Sequence, residues 1–242
     1  MEDIVSGPVL RKLLLLDQLS ERGSNTVSHQ LLHHHSPHNY LVQGPKQCGK
    51  TSLLFEYAYQ CAENGLNVLF ITQKRKEALP HLVSPRAQPP SMPTLKLINI
   101  LYVETARELV KTMATLHLRA QKYSLVVIDD LHQYFLPMRK DSYACASEVC
   151  AFTCDAVCYL RSCGLGTMLL CSVNTSTKCS LQGLLGVCER WLGCGVRFQP
   201  QQRNKGFVVR TKNNYSSVTV QGGEDDVKGV QAEFDHGVIS LL

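Results

Sequence analysis

The octapeptide Gly44-Pro45-Lys46-Gln47-Cys48-Gly49-Lys50-Thr51 limits this chain more than any other stretch, because a glycine-bracketed loop closed by Lys-Thr works in only one backbone setting. It has to leave the end of a buried strand and open directly into a helix. Both flanks comply. Tyr40-Leu41-Val42-Gln43 reads as a short buried strand, and Thr51 to Glu63 has helical apolar spacing closed by Asn64-Gly65. Val68 to Thr72 is the next strand. Strand, loop, helix and strand in that order predict the βαβ unit of a parallel sheet.

Such a loop points successive backbone N–H groups at phosphate oxygens, and the positive end of the following helix favours the same anion. Lys50 is placed to neutralise β and γ phosphates, and Thr51 to offer its hydroxyl to Mg²⁺. The expected ligand is therefore a nucleoside triphosphate, ATP with magnesium. A carboxylate should reach the metal from a neighbouring strand tip. Leu125-Val126-Val127-Ile128-Asp129 supplies it. Asp130, one residue on, points to the other face of a continuing strand and is the weaker candidate.

The rest of the chain extends the α/β pattern. Five prolines between 80 and 93 predict an exposed loop. Leu95 to Leu101 reads as a strand, Thr105 to Arg119 as a helix, Ser147 to Arg161 as another helix, and Thr167 to Val173 as a strand ending at Asn174. The continuous apolar run before Asp129 suits a central parallel strand covered on both faces. From Gly195 onward, short alternating segments separated by Asn213-Asn214 and Gly222-Gly223 predict antiparallel strands. The expectation is one domain over 39–242: a mostly parallel sheet flanked by helices, with antiparallel C-terminal strands. Residues 1–38, with an apolar run at Val9 to Leu19 and a Ser/Asn/His-rich stretch, read as a partly disordered extension.

Composition removes several classes. A formal charge of +5 is too mild to mark a nucleic-acid binder by itself, so any DNA site must be local. No stretch nears the roughly 18 apolar residues of a membrane span, and the sequence opens on Met1-Glu2-Asp3 rather than on a basic signal-peptide segment. A soluble intracellular protein without a membrane partner is expected. The 11 cysteines are then reduced thiols. Cys150, Cys154 and Cys158 lie on one helical stripe, with Cys145 and Cys163 nearby, and are read as packing, since a straight helix cannot wrap a tetrahedral metal. His29, His33, His34, His35 and His38 are assigned no role.

With these residues placed, the chain from about 40 to 242 resembles the RecA-like recombinase paralogues of eukaryotes. The likeness rests on the glycine loop, the strand ending at Asp129, the strand ending in an amide at Asn174, and a tail that reads Val196-Arg197-Phe198, Gly206-Phe207-Val208-Val209-Arg210 and Ala232-Glu233-Phe234-Asp235-His236-Gly237-Val238-Ile239. Within that group it looks most like the small ATPase associated with a SWIM-type zinc-finger protein. The supporting words are Leu53-Leu54-Phe55, Leu69-Phe70-Ile71-Thr72, Met92-Pro93 and Thr105-Ala106-Arg107-Glu108-Leu109.

The resemblance implies a nuclear mediator of homologous recombination and double-strand break repair. It works in a heteromer with the SWIM-type protein, alongside a RecA-like recombinase, and binds single-stranded DNA. It also implies that Asn174 senses the γ-phosphate, and that two loops face DNA: Leu136 to Tyr143 with Arg139 and Lys140, and Thr175 to Gly186 with Lys178. RecA-type ATPases carry a catalytic Glu two residues past the strand that follows the glycine loop and its helix. Lys74 stands there, and Glu77 is out of register. A cation cannot act as a base, so the catalytic residue is unknown, hydrolysis should be slow, and a weak DNA-stimulated ATPase is the expectation. Two other readings stay open: an autonomous P-loop kinase or phosphotransferase on a small molecule, and an architectural subunit that does not hydrolyse nucleotide.

Overall fold

The computed structural model describes residues 39–75, 78–80, 90–136, 141–175 and 179–193, and the strands at 196–200, 206–211, 217–221, 232–235 and 238–241. The 1–38 extension and its histidine cluster lie outside the described residues.

Ten strands form one sheet in the order β3-β2-β4-β5-β1-β6-β7-β8-β10-β9. In chain order they are β1 Asn39–Gly44, β2 Val68–Thr72, β3 Ile98–Tyr102, β4 Leu125–Ile128, β5 Met168–Asn174, β6 Val196–Pro200, β7 Gly206–Thr211, β8 Ser217–Gln221, β9 Ala232–Asp235 and β10 Val238–Leu241. The first six are parallel throughout. Beyond them β6, β7 and β8 pair antiparallel, as do β9 and β10. One departure from the expected tail is β8 against β10, which run parallel. The single segment expected at Glu233 to Ile239 is two strands.

The helices are α1 Lys50–Glu63, a single turn α2 Met92–Leu95, α3 Ala106–Ala114, α4 Ser142–Ser162 and α5 Cys179–Leu192. Alternation along the strands builds a core on each face of the sheet. Val42, Phe70, Leu125, Val127 and Leu170 pack under Leu54, Phe55, Tyr57 and Ala58 of α1. Leu41, Leu69, Ile71, Val126, Ile128 and Leu169 pack under Leu109 and Met113 of α3, Val149 and Val157 of α4, and Leu184 and Cys188 of α5. The expected helix Thr105 to Arg119 is shorter: Thr105 caps α3 in a reciprocal box with Glu108, and Leu116–Leu118 forms a separate 3₁₀ turn. Helix α4 starts five residues before the expected Ser147.

The cysteine stripe on α4 runs from core to surface. Cys145 and Cys150 are buried, Cys154 is half-buried, and Cys158 and Cys163 are exposed. A hydrogen bond with Cys188, and then burial, push the Cys150 thiol far up, so it packs as a neutral group. Among the described residues no cluster of His, Cys, Asp and Glu is set to hold a metal, and no helix is long and apolar enough to cross a membrane.

Candidate nucleotide site

The site gathers where β1, β4 and β5 end side by side, because a parallel sheet brings these carboxyl ends to one edge. Gly44 is the register partner of Asn174 on β5, and the Gly44 carbonyl accepts the Thr175 N–H at 2.8 Å. The glycine loop thus starts against the strand that carries the amide. Two residues of the loop take left-handed backbone, Gln47 at φ 63 and Gly49 at φ 86. At Gly49 no atom comes within 4 Å of where a Cβ would stand, so the backbone is open to an approaching phosphate. Gly49 then caps α1, whose first turn carries no acid. Its free N–H groups and positive dipole end face an anion without competition.

Lys50 is buried, and its ammonium donates to the Pro45 carbonyl at 2.7 Å and to the Cys48 sulfur at 3.7 Å. The lysine therefore folds back along its own loop. Burial raises the Cys48 thiol above its ordinary range, only partly opposed by Lys50, so the thiol serves as a neutral wall.

Opposite Lys50 stands Asp129, only 1% exposed. Even positions of β5 and odd positions of β4 face α1, so Asp129 and Ser172 meet beside the first turn of that helix. The Thr51 hydroxyl reaches both Asp129 oxygens, at 3.0 and 2.9 Å, and the Ser172 hydroxyl donates to Oδ1 at 2.9 Å. The Ser172 oxygen in turn accepts the Asp130 N–H at 2.7 Å. Asp130 adopts φ 53, which turns the chain off the strand into the 3₁₀ turn Leu131–Tyr134. A hydroxyl and a carboxylate at hydrogen-bond distance form a hard oxygen pair of the kind Mg²⁺ takes, with substrate phosphate and water completing the shell. The donor set fits magnesium.

The 3₁₀ turn delivers a residue that sequence reasoning passed over. His132 is 4% exposed. The Asn174 backbone N–H lies 3.2 Å from its Nδ1, and the side-chain amide nitrogens of Asn174 and Gln133 lie 2.8 and 3.1 Å from its Nε2. Burial, then the charge of Lys50, lower the imidazole to about 4, with Asp129 pulling the other way. The ring is neutral at physiological pH.

Of the residues singled out from sequence, Gly44 to Thr51, Asp129 and Asn174 come together at this edge. Lys74 is exposed just past the end of β2, whose Ile71 is in register with Ile128, so it flanks the site without contributing a base. Arg139, Lys140, Lys178 and Glu77 lie outside the described residues. The second expected DNA loop, Thr175 to Gly186, needs correction: from Cys179 it is the first half of α5. Tyr143, expected in the first loop, belongs to α4. Ser172 could have been found, since it shares a strand face with Asn174 two residues on.

Strand order, crossover helix and glycine loop together give an α/β core of the RecA-like type. No protein-family model matches the chain, and no curated protein matches it by sequence. Among solved structures it is similar to the RadB recombinase, with a TM-score of 0.56 and 12% identity over 86% of this chain and 92% of that one. It is more loosely similar to the flagellar accessory protein FlaH from Methanocaldococcus jannaschii, with a TM-score of 0.49 and 12% identity over 72% and 78% of the two chains.

Proposed function

We propose that this chain is an ATP- and Mg²⁺-binding RecA-like recombinase paralogue, a nuclear mediator of homologous recombination that acts in a heteromer with a SWIM-type zinc-finger protein. One observation carries the nucleotide part: Thr51 and Asp129 in contact, beside a buried Lys50, at the mouth of an open glycine loop on a RecA-like sheet. Similarity of the fold to the RadB recombinase supports placing that chemistry in recombination. Binding of single-stranded DNA and association with a RecA-like recombinase follow from the sequence resemblance. Lys74 at the tip of β2 favours slow hydrolysis, so nucleotide serves assembly more than turnover.

Lys50→Ala removes the cation that faces the phosphates, and titration calorimetry should find no MgATP binding. Retained affinity would overturn the nucleotide assignment. The partner assignment is tested by co-purification of the full chain with a SWIM-type zinc-binding protein, which should be lost from cells lacking that partner. A free monomer with high turnover on a small-molecule acceptor would instead select the phosphotransferase reading.

A further inference from the structure

Beside Asp129, on the side away from the glycine loop, the tip of β2 sets an exposed lysine at the edge of the site. Strands β2 and β4 stay in register to Ile71 and Ile128, and the Asp129 N–H donates to the Ile71 carbonyl at 2.9 Å, so Thr72 stands abreast of Asp129. Both belong to the α1 face of the sheet. Phe70 packs in the core under α1, and Thr72 lines one cavity with Phe70 and with Phe55 of that helix. Gln73 turns to the other face, where its side-chain amide donates to the Glu104 carbonyl at 2.9 Å just ahead of α3. Alternation then returns Lys74 to the face that carries Thr51 and Asp129, about 7 Å further out along the strand direction. Lys74 is exposed, and no carboxylate or carbonyl among the described residues holds its ammonium.

The glycine loop and Lys50 approach a triphosphate from β1, and the magnesium-side pair Thr51 and Asp129 fixes where its second and third phosphates come together. The third phosphate then lies outward of Asp129, with the loop on one side and the tip of β2 on the other. A lysine ammonium on its flexible four-carbon stem reaches that space and acts on phosphate as a point charge. We infer that Lys74 is a binding residue for the third phosphate, a second cation that meets it from the side opposite Lys50 and gives this chain a preference for ATP over ADP. The inference rests on the nucleotide-binding reading of the site. It assigns a task to the residue that stands where a water-activating acid is expected: Lys74 retains the phosphate that an acid there would help to remove.

Titration calorimetry of the full chain with MgATP and with MgADP tests this on Lys74→Gln, on Lys74→Arg and, as a control for net charge, on Arg75→Gln one residue further on. Both positions are exposed, so the substitutions leave the fold intact. The wild type should prefer ATP. Lys74→Gln should lose roughly tenfold of that preference, the worth of one hydrogen bond between charged groups, through weaker ATP binding alone. Lys74→Arg should keep most of the preference and Arg75→Gln all of it. ADP affinity, set by Lys50 and the loop, should be unchanged in every variant.

An ATP preference as large in Lys74→Gln as in the wild type would overturn the inference. So would an equal loss in Arg75→Gln, which would assign the effect to the overall field of this edge, or a fall in both affinities together. A wild type that binds the two nucleotides equally would overturn it as well. A wild type that binds neither would remove the nucleotide-binding reading, and the inference with it.

Discussion

His132 also makes stability depend on pH in a way that can be signed. An imidazole that titrates at about 4 when folded and near 6.5 when unfolded binds its proton more readily in the unfolded chain between those values. Its full contribution is present above pH 6.5 and is lost as pH falls towards 4, up to about 3 kcal/mol. Urea melts of the wild type and His132→Gln should therefore diverge over that window and run parallel above it. Parallel curves from pH 4 to 7 would show that the ring takes up its proton as readily in the folded protein as in the unfolded chain. Nothing in the sequence marks His132, because its partners lie 42 residues away on β5 and no motif has a histidine three places beyond the strand-end acid. The glycine loop and Asp129 were legible for the opposite reason, since each is fixed by neighbours in the chain. Lys74 falls between these cases. The rise it suppresses is measurable: Lys74→Glu should increase basal phosphate release, and no increase would place the missing acid elsewhere.

At the scale of elements, β1, β2, β4 and β5 lie within a residue of the sequence expectation, because short apolar runs next to turn signals suit covered strands, whereas the strand expected at Leu95 to Leu101 begins only at Ile98, Leu95 belonging to the turn α2. Helix α5 was missed. Its Cys179-Ser-Leu-Gln-Gly-Leu-Leu-Gly-Val-Cys stretch carries Gly183 and Gly186, whose helix propensity argues against it. The helix exists because Leu184, Cys188 and Leu192 bury against the sheet and α4, so tertiary packing overrides local preference. Consequently, a segment expected as a DNA-facing loop is helical from Cys179 onward. The start of α3 was misjudged less, since Thr105 and Glu108 spell a capping box. Thr105 accepts the Glu108 N–H at 3.2 Å, and Glu108 accepts the Thr105 N–H at 3.3 Å. Thr105→Ala should cost about 1 kcal/mol in chemical denaturation, with nucleotide affinity unchanged. A change in affinity would mean that α3 communicates with the loop.

For the molecule as a whole, the question is how the C-terminal strands are held to the parallel core that carries the site. Strand β6 meets β1 over only two register pairs, Val42 with Val196 and Gln43 with Arg197. A side-chain clasp reinforces that seam. Glu189 on α5 accepts from Gln43 at 2.7 Å and from Arg197 at 2.9 Å on the same oxygen, and Arg197 donates back to Gln43 at 3.0 Å. The Arg197–Glu189 pair is 44% and 34% exposed, so its charge attraction alone is worth little. Gln43 is fully buried, and both ends of its amide depend on the other two residues. Removing Glu189 therefore matters mainly by orphaning a buried donor, a cost of about 1–3 kcal/mol. Gln43 immediately precedes Gly44, so loosening it should also disturb the phosphate loop. Glu189→Ala is expected to lower stability by that amount and to weaken MgATP binding, while Glu189→Ala combined with Gln43→Leu should regain much of the stability, because no buried amide is then left unpaired. Denaturation and titration of the three proteins side by side provide the check. If the double variant is no more stable than Glu189→Ala, the seam is held by the β1–β6 backbone pairing, and the clasp is incidental to both the fold and the site.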